Sequence, residues 1–307
     1  MKIAVIGATG HIGSSLVPAL IRRGHTVVAI SRNQKRPYNE GREWKCAEQI
    51  FAERRTFLQN VPLLKKYAFD AVIDTLSMNA ADAEMLVDAF AGTGAHLIVI
   101  GTIWIYREKY SIPVREEHPA TEYEEYGADK AHMVRTLSEY AREKGCRWTV
   151  LHPGHISGKG WLPINPQGNL NEAVYRDIAA GREIILPFLG LTTLQFVHAQ
   201  DLAELCIACL EQPEKSDRQV FHATCADAIP LQSYANRLYE HFGKTPALSF
   251  VSLEEFRRRL SPEDYECSMD HITHSPCCST EKAKNLLGFV SSHSCLQTVL
   301  DAISDRF

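Results

Sequence analysis

The chain has no apolar run of membrane-spanning length, no marked excess of charge of one sign and no cysteine framework. A bilayer needs about 20 consecutive apolar residues, and none of its segments qualifies. The first apolar stretch is too short and too early for a secretion signal. The expectation is a soluble cytoplasmic protein with no membrane partner. Lys and Arg total 33 against 37 Asp and Glu, a formal net charge of -4. That balance offers no general electrostatic grip on nucleic acid, so none is expected as a partner. The nine cysteines are odd in number and irregularly spaced, as reduced thiols would be. Cys206 and Cys209 form C-x-x-C, but within a segment of helical periodicity, which reads as buried helix-face thiols. His271, His274, Cys277 and Cys278 complete no familiar zinc spacing, and no metal is expected. Internal repeats and low-complexity segments are also absent.

What is present begins at the first residues. Of 307 residues, 45% are hydrophobic, enough for a sizeable core in one large domain or two smaller ones. Ile3-Ala4-Val5-Ile6 is a strand-length apolar run that meets Gly7-Ala8-Thr9-Gly10-His11-Ile12-Gly13. Gly7 allows a tight turn out of the strand, Gly10 removes a Cβ where a pyrophosphate must approach, and Gly13 lets the next helix pack closely. The free N–H groups at the start of that helix then face the anion.

Further strands are expected at His25–Ile30, Gln49–Ala52, Asp70–Leu76, His96–Ile100 and Trp148–Leu151, with helices between them. Each strand is continuously apolar and alternates with helical pattern, which describes a doubly wound parallel sheet, the Rossmann arrangement. Its carboxyl edge would collect Gly7 to Gly13, Ser31 and Arg32, Thr75 to Ser77, and Thr102. Ser31-Arg32-Asn33 stands where the adenosine ribose is read. No acid is there to bind a 2′-OH, while Arg32, Lys35 and Arg36 suit a 2′-phosphate. NADP is therefore favoured, with NAD left open. A charged loop from Tyr106 to Glu125 leads to a long helix in which Tyr126 and Lys130 share one face.

With these residues in view, the chain resembles an extended short-chain dehydrogenase/reductase of the NAD-dependent epimerase/dehydratase family. The matching pieces are Gly7-x-x-Gly10-x-x-Gly13, Gly101-Thr102 with Tyr106, Tyr126-x-x-x-Lys130, and His152-Pro153-Gly154. Phe196-Val197-His198 through Ala203 and Lys282-Ala283 through Phe289 follow in the family's order. The resemblance implies that Thr102 hydrogen-bonds the substrate oxygen and that Tyr126 is the general acid/base. It implies that Lys130 holds the nicotinamide ribose and lowers the phenol pKa. Gly7, Thr9, Gly10, His11, Ile12, Gly13, Ser31, Arg32, Leu76, Tyr126 and Lys130 would bind the cofactor. The implied activity is hydride transfer at a hydroxyl or keto carbon of a small polar, sugar-like substrate, either as net redox or as epimerisation or dehydration. A homodimer would suit the family. The alternative is a non-catalytic dinucleotide sensor or RNA-binding scaffold, since chloroplast stem-loop RNA-binding relatives resemble the segment Asp70 to Asp74.

The chain departs from the family at several points. His152 replaces an arginine, Thr75-Leu76-Ser77-Met78-Asn79 replaces an alanine-rich turn, and Leu194 stands where nucleotide-sugar members place a diphosphate-binding arginine. Arg176 and Arg182 are candidates to replace it. The dinucleotide domain is expected at 1–155 and 193–224, and a smaller, interleaved C-terminal substrate part at 156–192 and 225–307. Thr193–His198 and Val220–Ala223 are expected to return to the sheet. The loop Trp161–Asn169 offers three amides and an indole, read either as ligand groups or as an ordinary connection. His152 and His155 fall at the sheet's carboxyl edge, where a structural role competes with lining the cleft.

Overall fold

Strand β1 (Lys2–Ile6) sets the frame, because Ile3, Ala4, Val5 and Ile6 are all fully buried, as a strand covered on both faces must be. The strands that follow are β2 (Thr26–Ser31), β3 (Glu48–Phe51), β4 (Ala71–Asp74), β5 (His96–Ile100), β6 (Arg147–Pro153) and β7 (His155–Ser157). The last six are β8 (Ile184–Pro187), β9 (Thr193–Leu194), β10 (Phe196–His198), β11 (Gln219–Ala223), β12 (Ile229–Pro230) and β13 (Leu248–Val251). Seven of them form one parallel sheet in the order β11-β6-β5-β4-β1-β2-β3. The structure, a computed structural model, describes residues 1–32, 35–106, 111–121 and 125–307. Asn33, and the parts of the charged loop at 107–110 and 122–124, lie outside the described residues.

The first helices are α1 (His11–Arg22), α2 (Arg54–Gln59), α3 (Val61–Tyr67), α4 (Ala80–Phe90), α5 (Glu125–Glu143), α6 (Glu172–Ala179) and α7 (Ala199–Glu211). Leu16, Val17 and Leu20 of α1 pack with Leu202, Cys206 and Cys209 of α7 on one face of the sheet. Leu86, Val87 and Phe90 of α4 pack with Met133, Leu137 and Ala141 of α5 on the other. The thiols of α7 are thus helix-face core, and burial pushes that of Cys206 up to about 12. A third core gathers Ile164, Tyr175, Phe196, Tyr234 and Val299. The hydroxyls of its Tyr175 and Tyr234 lie 2.8 Å apart and donate to the carbonyls of Pro163 and Ile164, so neither is stranded. Among the described residues no helix is long and apolar enough to cross a membrane.

One expectation changes. Val220–Ala223 does enter the central sheet, as β11 beside β6, but Thr193–His198 does not. Its halves pair elsewhere, β10 with β7 and β9 with β12. Between them Gln195 is buried and bonds the carbonyls of Cys225 and Cys278 and the amide of Cys278. The segment is strand-like, and tertiary packing decides which edge it joins.

Two buried carboxylates lock elements together. Asp74 at the end of β4, fully buried, accepts from Arg54 of α2 at 2.8 Å and from Ser77 at 2.8 Å. Arg54 also reaches Asp82 of α4 at 3.0 Å. Asp201 of α7 accepts from Ser291, Ser292 and His293 through both side chains and backbone, at 2.6 to 3.1 Å. Burial alone would raise its pKa, but the hydrogen bonds from Ser292, Ser291 and His293 together hold it below the usual value.

Replacing Arg54 by Met leaves Asp74 buried without its partner, and urea unfolding should show a loss of about 3–5 kcal/mol. Asp201→Asn should cost about 2–3 kcal/mol at pH 7. A carboxyl whose folded pKa is depressed stabilises above its unfolded pKa of about 3.9 and loses that contribution as pH falls through the folded value. The Asp201→Asn deficit should therefore shrink in urea titrations run progressively below pH 4.

Candidate functional site

The strand order reverses between β1 and β4, and a crevice opens there at the carboxyl edge, where open parallel sheets bind ligands. It forms a cleft of about 980 Å³. Gly7 leaves β1 at φ +85°, and a Cβ on it would lie 2.2 Å from the Thr75 hydroxyl, so only glycine fits. Gly13 faces away from the cleft, and a Cβ there would meet the Ala8 carbonyl at 2.3 Å. Gly10 caps α1 without a side chain to bond the helix amides. The first-turn amides of α1 are thereby left to a ligand anion. Gly7, Thr9, Gly10, His11 and Ile12 line the cleft, as do Ser31, Arg32 and Leu76, while Gly13 is a packing residue. This bare, glycine-lined cradle with uncapped amides fits a pyrophosphate.

Trp161, whose indole the sequence offered as a ligand group, and Tyr38, which it did not single out, frame the cradle. Trp161 stacks on the His11 ring at 4.2 Å and 13°, and Tyr38 meets both edge-on. Burial, with His198 nearby, lowers the His11 pKa to about 3, so the ring is neutral. Beyond Ser31 the cleft wall carries Arg32 and Lys35, and also Glu53, which follows β3. Arg32 lies 3.9 Å from Glu53, and both are more than half exposed.

Thr102, Tyr126 and Lys130 converge at the other end of the crevice. Thr102 follows β5 and is buried, and its backbone N–H donates to His152 Nδ1 at 2.9 Å. That bond puts the remaining ring proton of neutral His152 on Nε2. Burial and the nearby His222 hold the His152 pKa far below its usual value. His152 is thus a positioning residue behind Thr102 rather than a cleft residue. The ring of Tyr126 sits at the mouth, 42% exposed, beside Thr102 in the cleft lining. Burial pushes the phenol pKa up, and the nearby Thr102 side chain only partly opposes this. Lys130 is buried, and its ammonium donates to the carbonyls of Ser77 at 2.6 Å and Ile100 at 3.1 Å. Burial lowers its pKa to about 8, against Asp74 and Asp82, which raise it. The resemblance implies that Lys130 lowers the tyrosine pKa, and in the structure the phenol's own burial is the larger effect, so that its pKa is raised.

The far wall consists of Trp104, His155, Leu162, Ile164, Leu170 and His271. The loop Trp161–Asn169 gives this wall Leu162 and Ile164 and gives the cradle its indole, but its amides line neither. Asn165 bonds Asn169 and the Asn171 carbonyl, Asn169 bonds Ser268, and Gln167 bonds the Ile185 carbonyl. Those amides satisfy a buried turn. Arg176 and Arg182 are exposed and paired with Glu172 and Asp177, and neither reaches the cleft. Trp104 and His271 carried no motif. The one available signal was helical spacing, since His271 and His274 are three apart on the helix Pro262–His274 and both meet Trp104.

Known proteins resemble the chain along nearly its whole length. The chain is 24% identical to UDP-glucose 4-epimerase of Corynebacterium glutamicum over 98% of its length and 94% of that protein. It is 24% identical to the chloroplast stem-loop binding protein of 41 kDa b of Arabidopsis thaliana, over 100% of this chain and 79% of that one. The fold matches UDP-glucuronic acid 4-epimerase from Bacillus cereus, solved in complex with NAD. There the TM-score is 0.73 at 18% identity, covering 99% of this chain and 98% of that one. A family model matches residues 3–222, and the chain belongs to the NAD dependent epimerase/dehydratase family.

Proposed function

We propose that this protein is a nicotinamide-dinucleotide enzyme that moves a hydride to or from a hydroxyl or keto carbon, with Tyr126 exchanging the proton. The observation that carries the reading is the convergence of Thr102, Tyr126 and buried Lys130 in the same cleft as the glycine cradle that follows β1. The cradle and the uncapped amides of α1 would hold the pyrophosphate. A bound nicotinamide supplies the hydride chemistry. The raised pKa keeps the Tyr126 phenol protonated at neutral pH, so it starts as a proton donor to a developing alkoxide. Thr102 hydrogen-bonds the same substrate oxygen and fixes its position, while His152 fixes Thr102. Lys130 already uses two N–H groups on carbonyls and offers its third to the cofactor ribose. The dinucleotide part would comprise 1–155 and 193–224, and the substrate part 156–192 and 225–307.

For the cofactor we propose NAD. Arg32 and Lys35 suit a 2′-phosphate, and on them rested the expectation of NADP. Glu53, in the same wall, offsets the Arg32 charge and would repel that phosphate. The family is described as NAD dependent, and the Bacillus cereus neighbour was solved with NAD. The Arabidopsis relative supports an RNA-binding scaffold as the second reading.

Tyr126→Phe should lower turnover by about 10²–10⁴-fold while calorimetry shows dinucleotide binding unchanged. Unchanged turnover would remove Tyr126 from proton exchange, whereas an unaltered protein that binds the dinucleotide but turns over no hydroxyl or keto substrate would favour the scaffold. The reductive rate should fall as pH rises past about 8, where Lys130 loses its proton. Calorimetry should find NAD bound at least as tightly as NADP, with Glu53→Gln shifting the ratio several-fold toward NADP. Tighter binding of NADP by the unaltered protein would return Arg32 and Lys35 to a phosphate role.

A further inference from the structure

Among the described residues the far wall of the cleft carries no charged side chain, and the cationic lining of the cleft as a whole is Arg32, Lys35, Arg54 and Lys130. Arg32 and Lys35 stand at the end marked by Ser31. Arg54 is held by Asp74 and Asp82, and Lys130 by two carbonyls. Leu194, where a diphosphate-binding arginine was looked for, is fully buried in the third core. An anionic diphosphate placed against this wall would be desolvated with no fixed positive partner among the described residues.

The wall instead presents a rigid aromatic corner. The Trp104 indole stacks on His274 at 4.3 Å and 13°, which holds it in place. It meets Tyr126 and His155 edge-on at 6.0 Å and 86°, and His271 at 5.2 Å and 71°. Its backbone N–H donates to the Thr102 hydroxyl at 3.2 Å, so the corner is tied to the residues that would hold the reacting oxygen. Leu162, Ile164 and Leu170 close the remaining sides. Among these side chains His155 Nε2 is shielded and has no hydrogen-bond partner, so a ligand group pairs it where the imidazole turns that edge to the cleft, and the pairing gains affinity and orientation. Burial, with His271 and His274 beside it, keeps the His155 ring uncharged.

We infer that the substrate is an uncharged, ring-bearing ketone or its alcohol, not a nucleotide sugar. Its ring packs at the Trp104 corner, and a second polar substituent hydrogen-bonds His155 Nε2. This rests on the hydride-transfer reading above. In the reductive direction the carbonyl carbon gains a hydride from the reduced dinucleotide, which is thereby oxidised, and the oxygen gains the Tyr126 proton. The C=O π bond becomes one C–H and one O–H bond.

The test uses the full chain loaded with NAD, with 4-hydroxyacetophenone and UDP-glucose as probes in ligand-observed NMR titrations. The aryl ketone should bind at least tenfold more tightly than UDP-glucose. Trp104→Ala and His155→Leu should each weaken it tenfold or more while NAD affinity and the thermal midpoint stay unchanged. Tighter binding of UDP-glucose, no binding of the ketone, or indifference to both variants would overturn the inference. Initial rates with NADH and NADPH separate the two levels. A protein that binds the ketone but never reduces it contradicts hydride transfer and keeps the binding class. One that binds NAD and epimerises UDP-glucose contradicts the binding class and keeps hydride transfer.

Discussion

The contact on which the rest of the site depends is the buried pair of Arg54 and Asp74. Two opposite charges removed from water are tolerable only when each has its hydrogen bonds filled. Here Asp74 is filled by Arg54, Ser77 and the Leu76 amide, and Arg54 by Asp74, Asp82, Ser77 and the Asp82 carbonyl. That saturation fixes the turn after β4. The turn in turn offers the Ser77 carbonyl to Lys130, so the ammonium is placed from below by a network that never enters the reaction. The alanine-rich turn of the wider family is here a polar one, and its polarity is consumed holding geometry.

The cleft has two chemically distinct ends because different layers build them. Turns following β1, β2, β3 and β4 make the cradle end, where backbone amides and glycines dominate. The far end takes its walls from the Trp104 turn, the stretch from His155 to Leu170, and the helix Pro262–His274. Tyr126 and Thr102 lie at the seam. Proton exchange can occur only where both ends meet, which is what a hydride donor and an acceptor carbon require.

Much of this was legible from the chain. The Ile3–Gly13 turn and the parallel sheet follow from apolar runs and glycine spacing, while the convergence of Thr102, Tyr126 and Lys130 follows from the resemblance to the family. What could not be read has a common cause: it depends on partners distant in the chain. The run Phe196–His198 is a strand by pattern, yet only the free edge of β7 determines its neighbour. Asn165, Gln167 and Asn169 look like ligand groups because amides are polar, but their burial in a turn had already committed them. The direction of the Tyr126 shift escaped because desolvation is a property of the packed site, not of the Y-x-x-x-K spacing. His152 was visible as a departure from an arginine, but its role behind Thr102 needed the β5–β6 register that brings Ile100 opposite Leu151.

The central sheet is finished by β11, which begins only at Gln219, after the chain has passed through α6, β8 and α7. During synthesis, β6 therefore carries an open row of backbone donors and acceptors from the time it forms until residues 219–223 leave the ribosome. β6 is almost wholly buried in the finished molecule, with Val150, Leu151 and His152 at 0% exposure. An apolar, unpaired edge of that kind is what a nascent chain exposes to strand exchange and aggregation. The interleaving that brings the substrate wall to the cradle thus sets a vulnerable interval in the birth of the protein, one that a chaperone gripping extended apolar segments would be suited to cover.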